Sequence, residues 1–236
     1  MDKIIFIKGV FMMRIYPSLM VVDPVNLENE IQLLQPYCAG FHLDVMDNKF
    51  VPNIALSIET VNHIARVVDK PVWVHLMVEN LNEFYTQLFL PNGSVVSFHI
   101  ESEVDVDRFV KIIREKKHKP SIAIKPKTPL DQIFPFCDIV DQVLLMSVEP
   151  GFSGQPFLSE SISRLEKLIS YRKKHNYAFS IGIDGGINKD NIKIVSEKGV
   201  DDCAIASGIF KQPDHLLALH QLEEIIVSSF SDGDCN

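Results

Sequence analysis

Short apolar, β-branched runs alternate with longer amphipathic runs along nearly the whole chain, eight times without a break. That order constrains the fold more than any other feature. Strand-like runs fall near 14–19, 40–45, 71–76, 94–99, 120–125, 140–146, 179–184 and 202–206. Helical patterns follow them near 26–35, 57–68, 81–90, 104–116, 130–135, 158–174, 189–198 and 214–228. Repeated β-then-α units imply a parallel sheet, and eight of them can close it. The strand runs are almost continuously apolar, as expected of strands covered on both faces. An open doubly wound sheet is the rival. The polar residues, however, stand after many different strands rather than at one switch point, which favours a single (β/α)8 TIM barrel. The 236 residues suit one such domain, whose usual size is ~250.

Local chemistry sets the boundaries. Pro71 opens the third strand, where a missing N–H is tolerated. Pro126 and Pro129 end the fifth, and Asn188 is expected to cap a helix starting at Lys189. The barrel is expected over 13–228, with an N-terminal extension at 1–12 and a polar tail at 229–236. The apolar start is interrupted by Lys8 and lacks a small-residue cleavage site, so it reads as an extension upstream of a start at Met12 or Met13 rather than a signal peptide. No stretch is long enough to span a bilayer. A net charge of −8 argues against a nucleic-acid partner. The four cysteines are scattered without a C-x-x-C pair, which fits a reducing cytoplasm.

Polar residues at the strand ends carry the chemistry. His42 and Asp44 are two apart on one strand, so both face one side, which in a barrel is the interior. Burying them there is costly unless they are paired or bind a metal. A buried His–Asp hydrogen bond is the plain alternative. His75 and Asp184 at matching ends of two other strands favour a divalent-metal site, with ligands suited to Zn, Fe(II), Mn or Co. The same two carboxylates suit a pair of proton carriers beside a carbonyl. Met46, Met77 and Met146 stand at or just after strand ends and are read as an apolar floor over a reacting carbon. Ser18 presents a hydroxyl to the same mouth. Small residues after the last three strands free backbone N–H groups for an anion: Gly151-Phe152-Ser153-Gly154, Gly185-Gly186 and Ala206-Ser207. His99 and Glu101 read as a local pair shaping the rim.

These stretches resemble the ribulose-phosphate 3-epimerase family and its relatives acting on allulose 6-phosphate. The resemblance runs from about Arg14 to Phe210. It rests on Pro17-Ser18-Leu19, on His42-Leu43-Asp44-Val45-Met46-Asp47 with Phe50-Val51-Pro52-Asn53, and on His75-Leu76-Met77-Val78. Glu149-Pro150-Gly151-Phe152 with Gly154-Gln155, and Asp184-Gly185-Gly186-Ile187, complete it. The resemblance implies a (β/α)8 barrel with one divalent cation per chain at His42, Asp44, His75 and Asp184. It implies Asp44 as proton acceptor and Asp184 as donor in one direction. Ser18 and His75 would contact substrate, and the three small-residue loops would hold its phosphate end. Asn48, Ser153 and Ala206 stand where the family usually has Gly. The last two bear on sugar-chain length and affinity rather than on the chemistry.

The implied reaction is C3 epimerization of a phosphorylated ketose through an enediolate, D-ribulose 5-phosphate to D-xylulose 5-phosphate, with D-allulose 6-phosphate as the alternative substrate. The expected partners are that ketose and further copies of the chain. Two other readings stay open. One is an aldolase or decarboxylase on the same barrel; a Schiff-base aldolase needs an inner-strand lysine, for which Lys125 is the candidate. A non-catalytic sugar-phosphate-binding protein would need the loops but not the two acids.

Overall fold

The computed structural model describes residues 6–7 and 10–231, with side chains described for 12–229. Eight parallel strands form the expected (β/α)8 barrel: β1 (Arg14–Pro17), β2 (His42–Met46), β3 (Trp73–Met77), β4 (Val95–His99), β5 (Lys119–Ile124), β6 (Gln142–Met146), β7 (Ser180–Asp184) and β8 (Asp202–Ile205). From β2 onward each pairs with the next, and β8 pairs back onto β1. The ring closes between β1 and β2 through a single parallel bridge, Ser18 to His42.

Alternation along the strands divides the interior from the outer layer. Leu43, Val45, Val74, Leu76, Val96, Phe98, Ile122, Ile124, Val143, Leu145, Ile181 and Ile183 are buried beneath the helices, in one cluster with Ile31, Leu34, Ile64, Phe109 and Leu168. The helices are α1 (Leu27–Leu34), α2 (Ile58–Val67), α3 (Leu81–Thr86), α4 (Val106–Glu115), α5 (Glu160–His175), α6 (Ile192–Glu197), α7 (Ser207–Phe210) and α8 (His215–Ser231). Side-chain caps start several of them. Ser57 accepts from the Thr60 N–H, Asn80 from Glu83 and Asp105 from Arg108.

Three expectations shift. The segment near 130–135 is two 3-10 turns, Leu130–Gln132 and Phe134–Phe136, because Pro135 cannot donate within a helix. The helix expected from Lys189 begins at Ile192. Asn188 Oδ1 instead accepts from the Asp190 N–H, and its carbonyl accepts from Asn191 and Ile192, making a turn. The last helix runs to Ser231, into the expected tail, and 232–236 lie outside the described residues. Within the expected extension, Phe6–Ile7 and Val10–Phe11 pair antiparallel as a hairpin outside the barrel sheet. Residues 1–5 and 8–9 lie outside the described residues.

The lower interior is stitched by hydrogen bonds running round the barrel. Trp73 Nε1 donates to Ser97 Oγ at 2.7 Å, Ser97 to Ser121 at 2.8 Å, and Ser121 to Gln142 Oε1 at 2.9 Å. Gln142 Nε2 then donates to Asp202 Oδ2 at 2.8 Å, and Arg14 Nε reaches Asp202 Oδ1 at 2.7 Å. Each side chain of this girdle thus has a partner, as a dry interior requires. The Trp73 ring reaches across to β7, where Gly182 makes room. A Cβ there would fall 2.8 Å from the indole.

Candidate active site

Strand register assembles the upper interior. Asp44 stands beside His75 and Met46 beside Met77, while Asp184 lies between Met146 on β6 and Ala204 on β8. The inward side chains therefore converge at the C-terminal mouth of the barrel, as this fold dictates.

Asp44 is the hub and is buried. Its Oδ2 accepts from Ser18 Oγ at 2.8 Å and lies 3.3 Å from His42 Nδ1, while its Oδ1 lies 3.3 Å from His75 Nδ1. His75 Nδ1 is also 3.6 Å from Asp184 Oδ2. Burial alone would push the Asp44 carboxyl up, but the two imidazoles outweigh it and hold the group well below the usual carboxylate range. Burial likewise disfavours a charged His75, yet Asp184 and Asp44 raise its imidazole to about 9. This is an electrostatic well for positive charge.

The donor set fits a divalent cation. His42 Nδ1, His42 Nε2 and His75 Nδ1 are buried without a hydrogen-bond partner, a costly state for ring nitrogens. One ligand atom from each of His42, Asp44, His75 and Asp184 lies within 4.8 Å of the others, and these four form the cluster among the described residues able to hold a metal ion. Mixed imidazole and carboxylate donors suit a borderline divalent ion.

Above this cluster opens a cavity lined by Ser18, Asp44, Met46, Met77, Met146 and Asp184, by Gly151, Phe152, Ser153 and Gly154, and by Gly185, Gly186, Ala206 and Ser207. Every expected site residue except His42 and His75 lines it; these two are fully buried beneath. Met46 and Met77 pack together with Val51, whereas Met146 belongs to a separate cluster with Trp73, Leu144 and Ala204. Gly185 adopts φ +118°, and a Cβ there would fall 2.4 Å from Val148. Ser147 Oγ fixes that turn by donating to the carbonyls of Asp184 and Gly185. Asn48 takes the left-handed conformation, φ +58°.

Some contributors had no assigned role in the sequence reading. Met20 and Val148 line the cavity. Asn53 Nδ2 donates to the Gly151 carbonyl at 2.6 Å, tying the loop after β2 to the loop after β6. Lys211 Nζ lies 2.8 Å from where a Cβ on Gly154 would sit, at the cavity edge. Asn53 closes the Phe50-Val51-Pro52-Asn53 stretch, but its contact partner is 98 residues away in the chain and leaves no local signal. His99 and Glu101 do pair, at 3.0 Å, yet not at a rim: His99 is fully buried and its Nε2 lies 2.9 Å from His75 Nε2. Burial holds the His99 imidazole down at about 4, and despite its own burial Glu101 is drawn to about 2, chiefly by His99. Lys125 lies outside the cluster, its ammonium 4.0 Å above the Phe50 ring.

Residues 14–210 match the Ribulose-phosphate 3 epimerase family. A ribulose-phosphate 3-epimerase of Methanocaldococcus jannaschii is 35% identical over 223 residues, covering 93% of this chain and 94% of that protein. One of Aquifex aeolicus is 37% identical over 190 residues, covering 80% and 86%. Among solved structures, the 3-hexulose-6-phosphate synthase of Salmonella typhimurium superposes with a TM-score of 0.65 over 92% of this chain and 100% of that one, at 12% identity, a likeness of fold alone. Sequence match, barrel and strand-end cluster agree: the chain belongs to the ribulose-phosphate 3-epimerase family and is an isomerase of the epimerase class.

Proposed function

We propose that the protein epimerizes a phosphorylated ketose at C3, interconverting D-ribulose 5-phosphate and D-xylulose 5-phosphate. The observation that carries the reading is that two carboxylates, Asp44 and Asp184, both line the cavity and both approach one imidazole nitrogen, at 3.3 and 3.6 Å. A carbon held between them meets one carboxylate on each face. Asp44, held ionised, takes the C3 proton, and Asp184 returns a proton to the opposite face; the reverse reaction exchanges the roles. Inversion follows from that geometry.

His42, Asp44, His75 and Asp184 would hold one divalent cation, Zn, Fe(II), Mn or Co. The chemistry such an ion supplies when bound is Lewis acidity toward the ketose oxygens as charge develops. Ser18 orients Asp44 through their hydrogen bond and faces the sugar. Met46, Met77 and Met146 keep water from the carbanion-like intermediate. The backbone of Gly151, Phe152, Ser153 and Gly154, with Gly185, Gly186, Ala206 and Ser207, receives the phosphate end.

The reading places catalysis in one domain, 13–228, of a cytoplasmic homo-oligomer. Among the described residues no helix is long and apolar enough to cross a membrane. The direct test is incubation with ribulose 5-phosphate in deuterated water, read by NMR. Deuterium at C3 of both epimers supports the reading. A ketose that returns with neither label nor xylulose 5-phosphate refutes it.

A further inference from the structure

His75 touches the site with one nitrogen and something else with the other. Nδ1 faces Asp44 and Asp184, whereas Nε2 meets His99 Nε2 at 2.9 Å. The chain of contacts continues. His99 Nδ1 meets Glu101 Oε2 at 3.0 Å, and Glu101 Oε1 accepts from the Lys125 backbone N–H at 2.8 Å. The two imidazoles lie nearly end to end, with centroids 5.0 Å apart and planes 26° from parallel, and the Phe50 ring lies 4.8 Å from that of His99. Both histidines are fully buried, so water does not compete for these bonds.

Proton bookkeeping gives this chain one direction. Glu101 has an oxygen toward His99 and only accepts, so His99 Nδ1 must carry a proton. A neutral imidazole has one N–H, so His99 Nε2 is bare and must accept. The proton between the two rings therefore belongs to His75 Nε2. A neutral His75 with its proton on Nε2 has its lone pair on Nδ1, the nitrogen that faces the carboxylates. Run the other way, the chain would put the His75 proton on Nδ1 and block a cation.

We propose that Glu101 and His99 are positioning residues: Glu101, acting through His99, fixes the proton of His75 on Nε2 and leaves Nδ1 free to ligate a divalent cation. The inference rests on the metal site proposed above. Neither residue lines the cavity. Outer partners of this kind are worth about 10–100-fold in metal affinity when removed.

Glu101→Gln tests the direction itself. The Lys125 N–H holds one side-chain atom of residue 101 as an acceptor, so the amide oxygen goes there and the NH2 turns to His99. That donor makes His99 carry its proton on Nε2 and reverses the relay. In protein labelled with 15N-histidine, the wild type should show His99 as the Nδ1–H tautomer, with or without zinc. Glu101→Gln should show Nε2–H, and by chelator competition its zinc dissociation constant should rise about 10–100-fold. Glu101→Asp, which keeps an acceptor-only group, should recover most of the affinity. Wild-type His99 found as the Nε2–H tautomer overturns the proposal whether or not any variant folds. So does a folded Glu101→Gln that binds zinc as tightly as wild type. If zinc does not bind the wild type at all, the metal-site reading fails, and the metal-free spectrum alone decides the relay.

Discussion

Asp184 Oδ2 lies 3.6 Å from His75 Nδ1, and the same nitrogen is 3.3 Å from Asp44 Oδ1. One imidazole thus joins two carboxylates that arrive on strands from opposite parts of the barrel order. Removing either acid disturbs the electrostatic well and the proposed proton traffic together.

Asp44→Asn and Asp184→Asn should each cut epimerization by at least ~10²–10⁴-fold, the usual contribution of a general acid or base. Both should also weaken metal binding, since each loses a charged ligand. Metal content measured beside turnover separates the effects. A variant with normal metal content and normal rate would clear its residue of the role.

Chelation should abolish activity, and adding back zinc, manganese, cobalt or ferrous ion should restore it. The purified protein should carry about one ion per chain if each site is filled. Full turnover by metal-free protein would remove the cation from the mechanism.

Lys211 offers a cation at the cavity edge beside Gly154. Lys211→Gln should raise KM for ribulose 5-phosphate roughly 2–5-fold, the scale of an exposed charge contact, with little change in kcat. Parallel kinetics with allulose 6-phosphate decide the sugar. A higher kcat/KM for the six-carbon substrate would overturn the pentose assignment and leave the proton chemistry standing.

Gly182→Ala should destabilise the protein by about 1–3 kcal/mol, because the new methyl meets the Trp73 indole inside a packed layer. Urea denaturation gives the loss. An unchanged midpoint would mean that the indole shifts freely.

Deleting residues 1–11 should leave activity intact, since the Phe6–Ile7 and Val10–Phe11 hairpin is separate from the barrel sheet. Loss of soluble, active protein would make the extension structural.

The inward-facing pair was legible in the sequence because parity decides it: His42 and Asp44 share a face whatever the strand's exact ends. Matching positions on other strands then brought in His75 and Asp184. Depth was not legible. Glu101 lies just past a strand end, so His99–Glu101 reads as a rim pair; the register sets Ser97 beside His75, and only the side-chain contact between the two Nε2 atoms shows that His99 backs onto His75. The lower girdle was equally hidden. Ser97, Ser121 and Gln142 are spaced like ordinary inward positions, and their bonding depends on neighbours twenty or more residues away. Helix starts failed where two asparagines compete: Asn188 makes a turn, and the helix waits for Asn191.

The barrel's seam and its chemistry share one residue. Ser18 takes its backbone N–H to Ile205 on one side, bridges His42 on the other, and gives its hydroxyl to Asp44. Mutational drift at this position is therefore constrained twice over. A substitution that tightened the closure but lost the hydroxyl would release the carboxylate, and one that kept the hydroxyl but moved the backbone would open the ring. Thermostabilised variants of this protein should accordingly accumulate changes in the outer helical layer and at the opposite end of the barrel, leaving Ser18 untouched.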